Sequence, residues 1–202
     1  MHDANRRTPW SGNRPGDPWS PGNSGSPGHS WSEVRPGEPW SGDRAEDKPA
    51  LYRDLARELD ALLTGEPDAT ANAANAAAAI YHALPRVNWA GFYFLRDETL
   101  VLGPFQGRPA CVRIGLGSGV CGTAARERRS VLVPDVEAFP GHIACDTASR
   151  SELVVPLLGD GVLLGVLDLD SPDLARFDAH DQAGCETLAA IVVRHLARSV
   201  LS

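Results

Sequence analysis

Cys145 sits in the stretch PGHIACDTASRSE (residues 140–152), two residues after the apolar Ile143 and directly before Asp146, Thr147, Ser149, Arg150 and Glu152. A structural thiol usually has apolar neighbours on both sides. A working thiol needs polar, hydrogen-bonding surroundings that favour its thiolate. That contrast makes Cys145 the strongest nucleophile candidate of the four cysteines. Cys111 opens CVRI (111–114), a predicted short strand, and Cys121 lies near the start of GVCGTAARERR (119–129), a predicted short helix. A helix N-terminus can lower a thiol pKa, yet GVCGTAA equally suits a close-packed turn of small residues. Cys185, between Gly184 and Leu188 in a helical pattern, fits a small buried residue. There is no Cys-x-x-Cys and no closely spaced histidine pair, so structural zinc is not expected and no metal is assigned.

Glu152 leads into ELVVPLL, which pairs with VLLGVLDLD as a hairpin around Gly159-Asp160-Gly161. Centred on Asp160, that hairpin sets Glu152 opposite Asp168, with Asp170 two residues further along the same face. Leu167 and Leu169 then point to the other side. Like charges facing each other in a sheet are destabilising. A cationic ligand group or a shared proton would relieve them; a solvated acidic face is the alternative. Pro156 marks a place where a bulge would shift the register. Trp89 and Tyr93, four apart in NWAGFYFL with Gly91 between them, share a strand face. Their rings could wall a gap over the glycine or pack as core against a helix.

The elements that must carry these residues follow from periodicity. LYRDLARELDALL (51–63) sets Leu51, Leu55, Leu59 and Leu62 on one helical face. Residues 68–84 are Ala-rich and helical, ending before Pro85. Residues 88–95 and 99–105 are strands joined by a tight Arg-Asp-Glu turn, SVLVPD (130–135) is another strand, and 136–150 look irregular. A long helix fills 178–201, capped by Asp178 and buried along Leu188, Ile191, Val192 and Leu196. Strands in the middle with helices at both ends predict an α+β domain with one antiparallel sheet, over residues 49–202.

Residues 1–48 contrast with everything after them. They hold seven of the 16 prolines, seven of the 20 glycines and four of the five tryptophans, with Val34 the one branched aliphatic residue. Such a segment cannot bury enough apolar area to offset ordering, and a disordered tail is expected. Its degenerate Trp-Ser units, at 10–11, 19–20, 31–32 and 40–41, are either short docking motifs or drifting low-complexity sequence. A net charge of −7 argues against nucleic-acid and anionic-membrane surfaces. No apolar run is long enough for a transmembrane helix, and Arg6 and Arg7 precede no apolar signal region. A cytoplasmic location is expected, where cysteines serve redox or metal chemistry rather than a disulfide framework.

The motifs NWAGFYFL, LGPFQGRPACVRI, GVCGTAA, PGHIACDTASRSELVVPL and GVLDLDSP, in that order, carry a resemblance. Over roughly residues 52–200 the chain resembles the free methionine-(R)-sulfoxide reductases, a family of GAF-domain proteins. General GAF sensor domains share the fold but lack the Cys111, Cys121 and Cys145 trio and the GHIACD loop. The resemblance implies a GAF-like fold and an enzyme that reduces free L-methionine (R)-sulfoxide. It implies Cys145 as nucleophile, Cys111 as the resolving thiol of a Cys111–Cys145 disulfide, and Cys121 as an auxiliary thiol. It places Glu152, Asp168 and Asp170 in the pocket, on the substrate ammonium and as source of a proton. Trp89 and Tyr93 would wall the methyl-sulfur end, and backbone N–H groups around Ile143, Ala144 and Cys145 would meet the substrate carboxylate. No organic or metal cofactor is implied; an external dithiol reductant, thioredoxin or a relative, would restore the enzyme, and a homodimer is expected. A non-catalytic GAF sensor and a redox switch acting through the tail are the rival functions.

Overall fold

Two capped helices open the folded part. A computed structural model describes residues 47–141 and 148–200, with side chains through Leu196. Asp47 accepts from the Ala50 N–H and Pro49 lies in the first turn, so helix α1 runs Lys48–Leu63. Asp47 and Lys48, placed in the tail by composition, thus belong to the first helix. Its buried stripe is Tyr52, Leu55, Leu59 and Leu63. Leu51 and Leu62, expected on that stripe, are only partly buried at its edges. Tyr52 turns the helix: its ring lies flush on Gly184, where a Cβ would fall 2.1 Å from the ring. Its hydroxyl donates to Asp181 at 3.0 Å. Asp181, its side chain 1% exposed, also pairs with Lys48 and Arg176. Helix α2, Ala69–Ala83, is capped by Asp68. It buries Ala73, Ala76, Ala77 and Ile80 completely, small side chains that let it approach its neighbours closely.

Six antiparallel strands follow: β1 (Trp89–Arg96), β2 (Thr99–Gln106), β3 (Arg113–Gly115), β4 (Val131–Val133), β5 (Ser151–Gly159) and β6 (Val162–Ser171). They form one sheet in the order β3-β2-β1-β6-β5-β4. Cys111, expected to start a strand, lies two residues before β3 in the connection from β2. Helix α3 (Gly119–Glu127) links β3 to β4, and α4 (Ala179–Val200) closes the domain. Asp178 caps α4 through the His180 and Asp181 N–H groups. Leu188, Ile191, Val192 and Leu196 are all buried, as their spacing predicts.

Alternation along the strands separates two cores. Ala90, Phe92, Leu153, Val155, Leu157, Leu167 and Leu169 pack with α1, α2 and α4. Trp89, Tyr93, Val154 and Val166 face the other way and pack with Val120, Cys121, Ala124 and Ala125 of α3. The β5–β6 register differs from expectation. The hairpin turns on two residues, Asp160 (φ 48°) and Gly161 (φ 78°), with Gly159 opposite Val162. Two positive φ angles in a two-residue loop match the twist of the flanking strands. A bulge between Leu157 and Leu158 then shifts the pairing again, so Glu152 faces Asp170 and Asp168 faces Val154. Glu152 directly opposite Asp168 is therefore corrected. The bulge lies one step beyond Pro156. Among the described residues no helix is long and apolar enough to cross a membrane.

Candidate active site

The acidic residues meet because β5 and β6 are neighbours and the register correction amounts to two residues. A two-residue slip keeps every side chain on its face. Glu152, Asp168 and Asp170 therefore still share the α3 side of the sheet. Glu152 and Asp168 are each only 6% exposed. Burial is the first cause that lifts Glu152 well above the usual carboxyl range, followed by the charges of Asp168 and Asp170. Burial likewise lifts Asp168 to about 7, against lowering by hydrogen bonds with Cys121, Glu152 and the Leu169 N–H. One oxygen of Asp168, Oδ1, is buried without a hydrogen-bond partner. Both carboxyls are thus held above their ordinary range, and one of their own oxygens is a buried acceptor with no donor.

Cys121 completes this group. Its Sγ lies 4.0 Å from Glu152 Oε1. Cys121 does lie in the first turn of α3, but its pKa is not lowered there: it is 4% exposed, and burial, then the charges of Asp168 and Glu152, raise its pKa well above normal. The close-packed option holds, since a Cβ on the adjacent Gly122 would fall 2.3 Å from the Gly115 carbonyl oxygen. Donor atoms of Cys121, Glu152 and Asp168 all lie within 4.8 Å of one another. A thiol and two carboxylates could hold a divalent cation, and the carboxylates suit an ammonium group.

The aromatic wall comes from β1, which pairs with β6 so that Trp89 faces Asp170 and Gly91 faces Asp168. The missing side chain at Gly91 matters: a Cβ there would fall 2.6 Å from Trp89 Cη2 and 2.4 Å from Phe105 Cβ. The indole lies over the glycine, 5.9 Å from the Tyr93 ring and 5.3 Å from Phe105. Trp89 and Tyr93 are thus core residues and cleft wall at once. They line a small cleft, partly open to solvent, with Asp168, Asp170, Arg108, Pro109 and Ala110. Arg108, Pro109 and Ala110 were not singled out by sequence. They belong to an irregular connection with no periodicity to reveal it, and Gly107 and Pro109 were its one local signal. Cys111, half-buried, follows directly. Cys185 lies away from this site in the other core, where burial pushes its thiol up to about 12. Cys145, Ile143 and Ala144 lie outside the described residues.

Residues 70–197 match the family model of the GAF domain. The free methionine-R-sulfoxide reductase of Escherichia coli strain K12 is 49% identical over 151 residues, covering 75% of this chain and 92% of that protein. The chain belongs to the free methionine-R-sulfoxide reductase family. A Saccharomyces cerevisiae protein of the same name is 42% identical over 154 residues, covering 72% of this chain and 86% of that one. The crystal structure of the free methionine-R-sulfoxide reductase of Neisseria meningitidis in complex with its substrate superposes with a TM-score of 0.74. It is 43% identical and covers 81% of this chain and 96% of that chain. The expected GAF fold is thereby borne out, with the six-stranded antiparallel sheet and its four helices.

Proposed function

We propose that this protein reduces free L-methionine (R)-sulfoxide to L-methionine, with Cys145 as nucleophile and Cys111 as resolving thiol. The Cys145 thiolate attacks the sulfoxide sulfur while a carboxyl proton moves onto the sulfoxide oxygen. The oxygen passes to Cys145, leaving methionine and a sulfenic acid. Cys111 attacks that sulfenic sulfur; the S–S bond forms, the S–O bond breaks and water leaves. A dithiol reductant of the thioredoxin kind returns both thiols by exchange. No organic or metal cofactor takes part.

The observation that carries this reading is the buried carboxyl pair beside the aromatic wall. Burial holds the Glu152 and Asp168 carboxyls above their ordinary range, which favours a carboxyl proton there, and Trp89 and Tyr93 offer an apolar surface for a methyl-sulfur group. Asp170, partly exposed at the cleft, stands where an ammonium group would enter. Backbone N–H groups of Ile143, Ala144 and Cys145 would take the carboxylate. The raised pKa of Cys121 supports an auxiliary part for that thiol rather than the nucleophile's. The protein works as a cytoplasmic homodimer.

The test is consumption of NADPH with thioredoxin and thioredoxin reductase on each epimer of free methionine sulfoxide, with dithiothreitol as a parallel reductant. Turnover of the R epimer is expected. Cys145→Ser abolishes it, and Cys111→Ser releases one methionine per active site before stalling with thioredoxin. No methionine from the R epimer with either reductant refutes the proposal, and binding without turnover would favour a sensor.

A further inference from the structure

The connection that carries Cys111 has no helix or strand of its own. Residues 107–112 join β2 to β3 without regular structure; Gly107, Arg108 and Pro109 are exposed, and Val112 is 63% exposed. A backbone bond from the Leu102 N–H to the Val112 carbonyl, 3.0 Å long, secures its far end. Two further ties come from the cleft wall. The Trp89 indole N–H donates to the Arg108 carbonyl at 3.1 Å. The Tyr93 hydroxyl donates to the carbonyl of Cys111 itself at 3.0 Å. Both rings are nearly fully buried, 2% and 1% exposed, so their polar atoms are fixed points. The connection also rests on the indole. Gly107 has φ 125°, and a Cβ there would fall 2.6 Å from Trp89 Cδ1.

We infer that Trp89 and Tyr93 are positioning residues for Cys111: the same side chains that wall the cleft hold the recycling thiol at its edge. This rests on the proposed role of Cys111 as resolving thiol. The step affected begins after methionine has left. The Cys111 thiolate attacks the sulfenic sulfur of Cys145, the S–S bond forms, and the oxygen departs as water after taking a proton. Its rate depends on how often Cys111 is presented within reach, since a disulfide tolerates only a narrow range of Cα separations. Tyr93 acts on that presentation through the carbonyl of the residue that reacts.

Reduced protein is mixed with one equivalent of free methionine (R)-sulfoxide, without reductant. Once methionine release is complete, the sulfenic acid is followed by dimedone trapping and mass spectrometry. Tyr93→Phe, which removes one hydroxyl, lengthens the sulfenic-acid lifetime about tenfold, the effect of losing one positioning hydrogen bond. Trp89→Phe, which removes the other tie, lengthens it too and is read in the same way should the first variant fold poorly. In a Cys111→Ser background neither substitution adds anything, an outcome that a general loosening of the core would not produce. Normal methionine release with an unchanged sulfenic-acid lifetime in both variants overturns the inference alone. A wild-type protein that releases no methionine overturns the proposed function with it.

Discussion

Replacing Asp168 by Asn tests whether the buried carboxyl pair holds its proton near neutrality. Burial, the largest influence, carries the Asp168 pKa from 3.8 to about 7. An acid with a higher pKa folded than unfolded binds more protons in the folded state between those two values. Stability is then undiminished below the unfolded value and falls as pH rises through the window, levelling off above about 7. Each pH unit inside the window costs about 1.4 kcal/mol. Raising the pH from about 5 to 7 therefore removes about 3 kcal/mol from the wild type. An amide carries no charge at any pH, so Asp168→Asn is spared that loss. Asp168 is also the second cause of the raised Glu152 pKa, after burial, and its removal shifts the difference in the same direction. Cys121, also raised by the Asp168 charge, stays protonated across this range in both proteins. Urea unfolding followed by tryptophan fluorescence, at intervals from about pH 5 to pH 8, reads the result. The variant gains on the wild type by about 3 kcal/mol up to pH 7 from Asp168 alone, and the Glu152 shift adds to that gain. A stability difference that does not change with pH would show that Asp168 ionises normally, and would withdraw the carboxyl pair as a proton store.

Asp181 joins Lys48, Tyr52 and Arg176 where α1 meets α4, with its side chain 1% exposed. Asp181→Ala leaves buried partners unpaired and lowers stability by about 3–5 kcal/mol, measured by urea unfolding. Removing residues 1–46 leaves both the cap at Asp47 and the Lys48 ion pair intact, whereas removing 1–48 takes both away. The longer deletion is less stable than the shorter one by about 1–2 kcal/mol, seen as a lower melting temperature.

The acidic face could be read from the chain although the register could not, and the reason lies in how each is determined. Leu153, Val155 and Leu157 on β5 and Leu167 and Leu169 on β6 must all enter the helix-covered core, which assigns Glu152, Asp168 and Asp170 to the opposite face whatever the turn does. Register depends on the turn and on the Leu157–Leu158 bulge. Each moves the pairing by one residue, and the two add to an even number that preserves the face. Tyr52 shows the same limit in a helix: apolar spacing finds the stripe, while the flush seat on Gly184 and the bond to Asp181 rotate it. The thiol at Cys121 could not be settled locally, because an helix start and a crowded small-residue turn predict opposite pKa shifts. Only the approach of Gly115, Glu152 and Asp168 decides for burial. Trp89 was legible as an aromatic on the right face. Its second task, donating to the Arg108 carbonyl, depends on a connection between β2 and β3 that has no periodicity to read. Regular elements thus announce which residues a site can use, and irregular connections supply the partners that hold them. Where wall and connection are joined by hydrogen bonds, as at Tyr93 and Cys111, the cleft wall and the backbone of a cysteine rest on the same side chains.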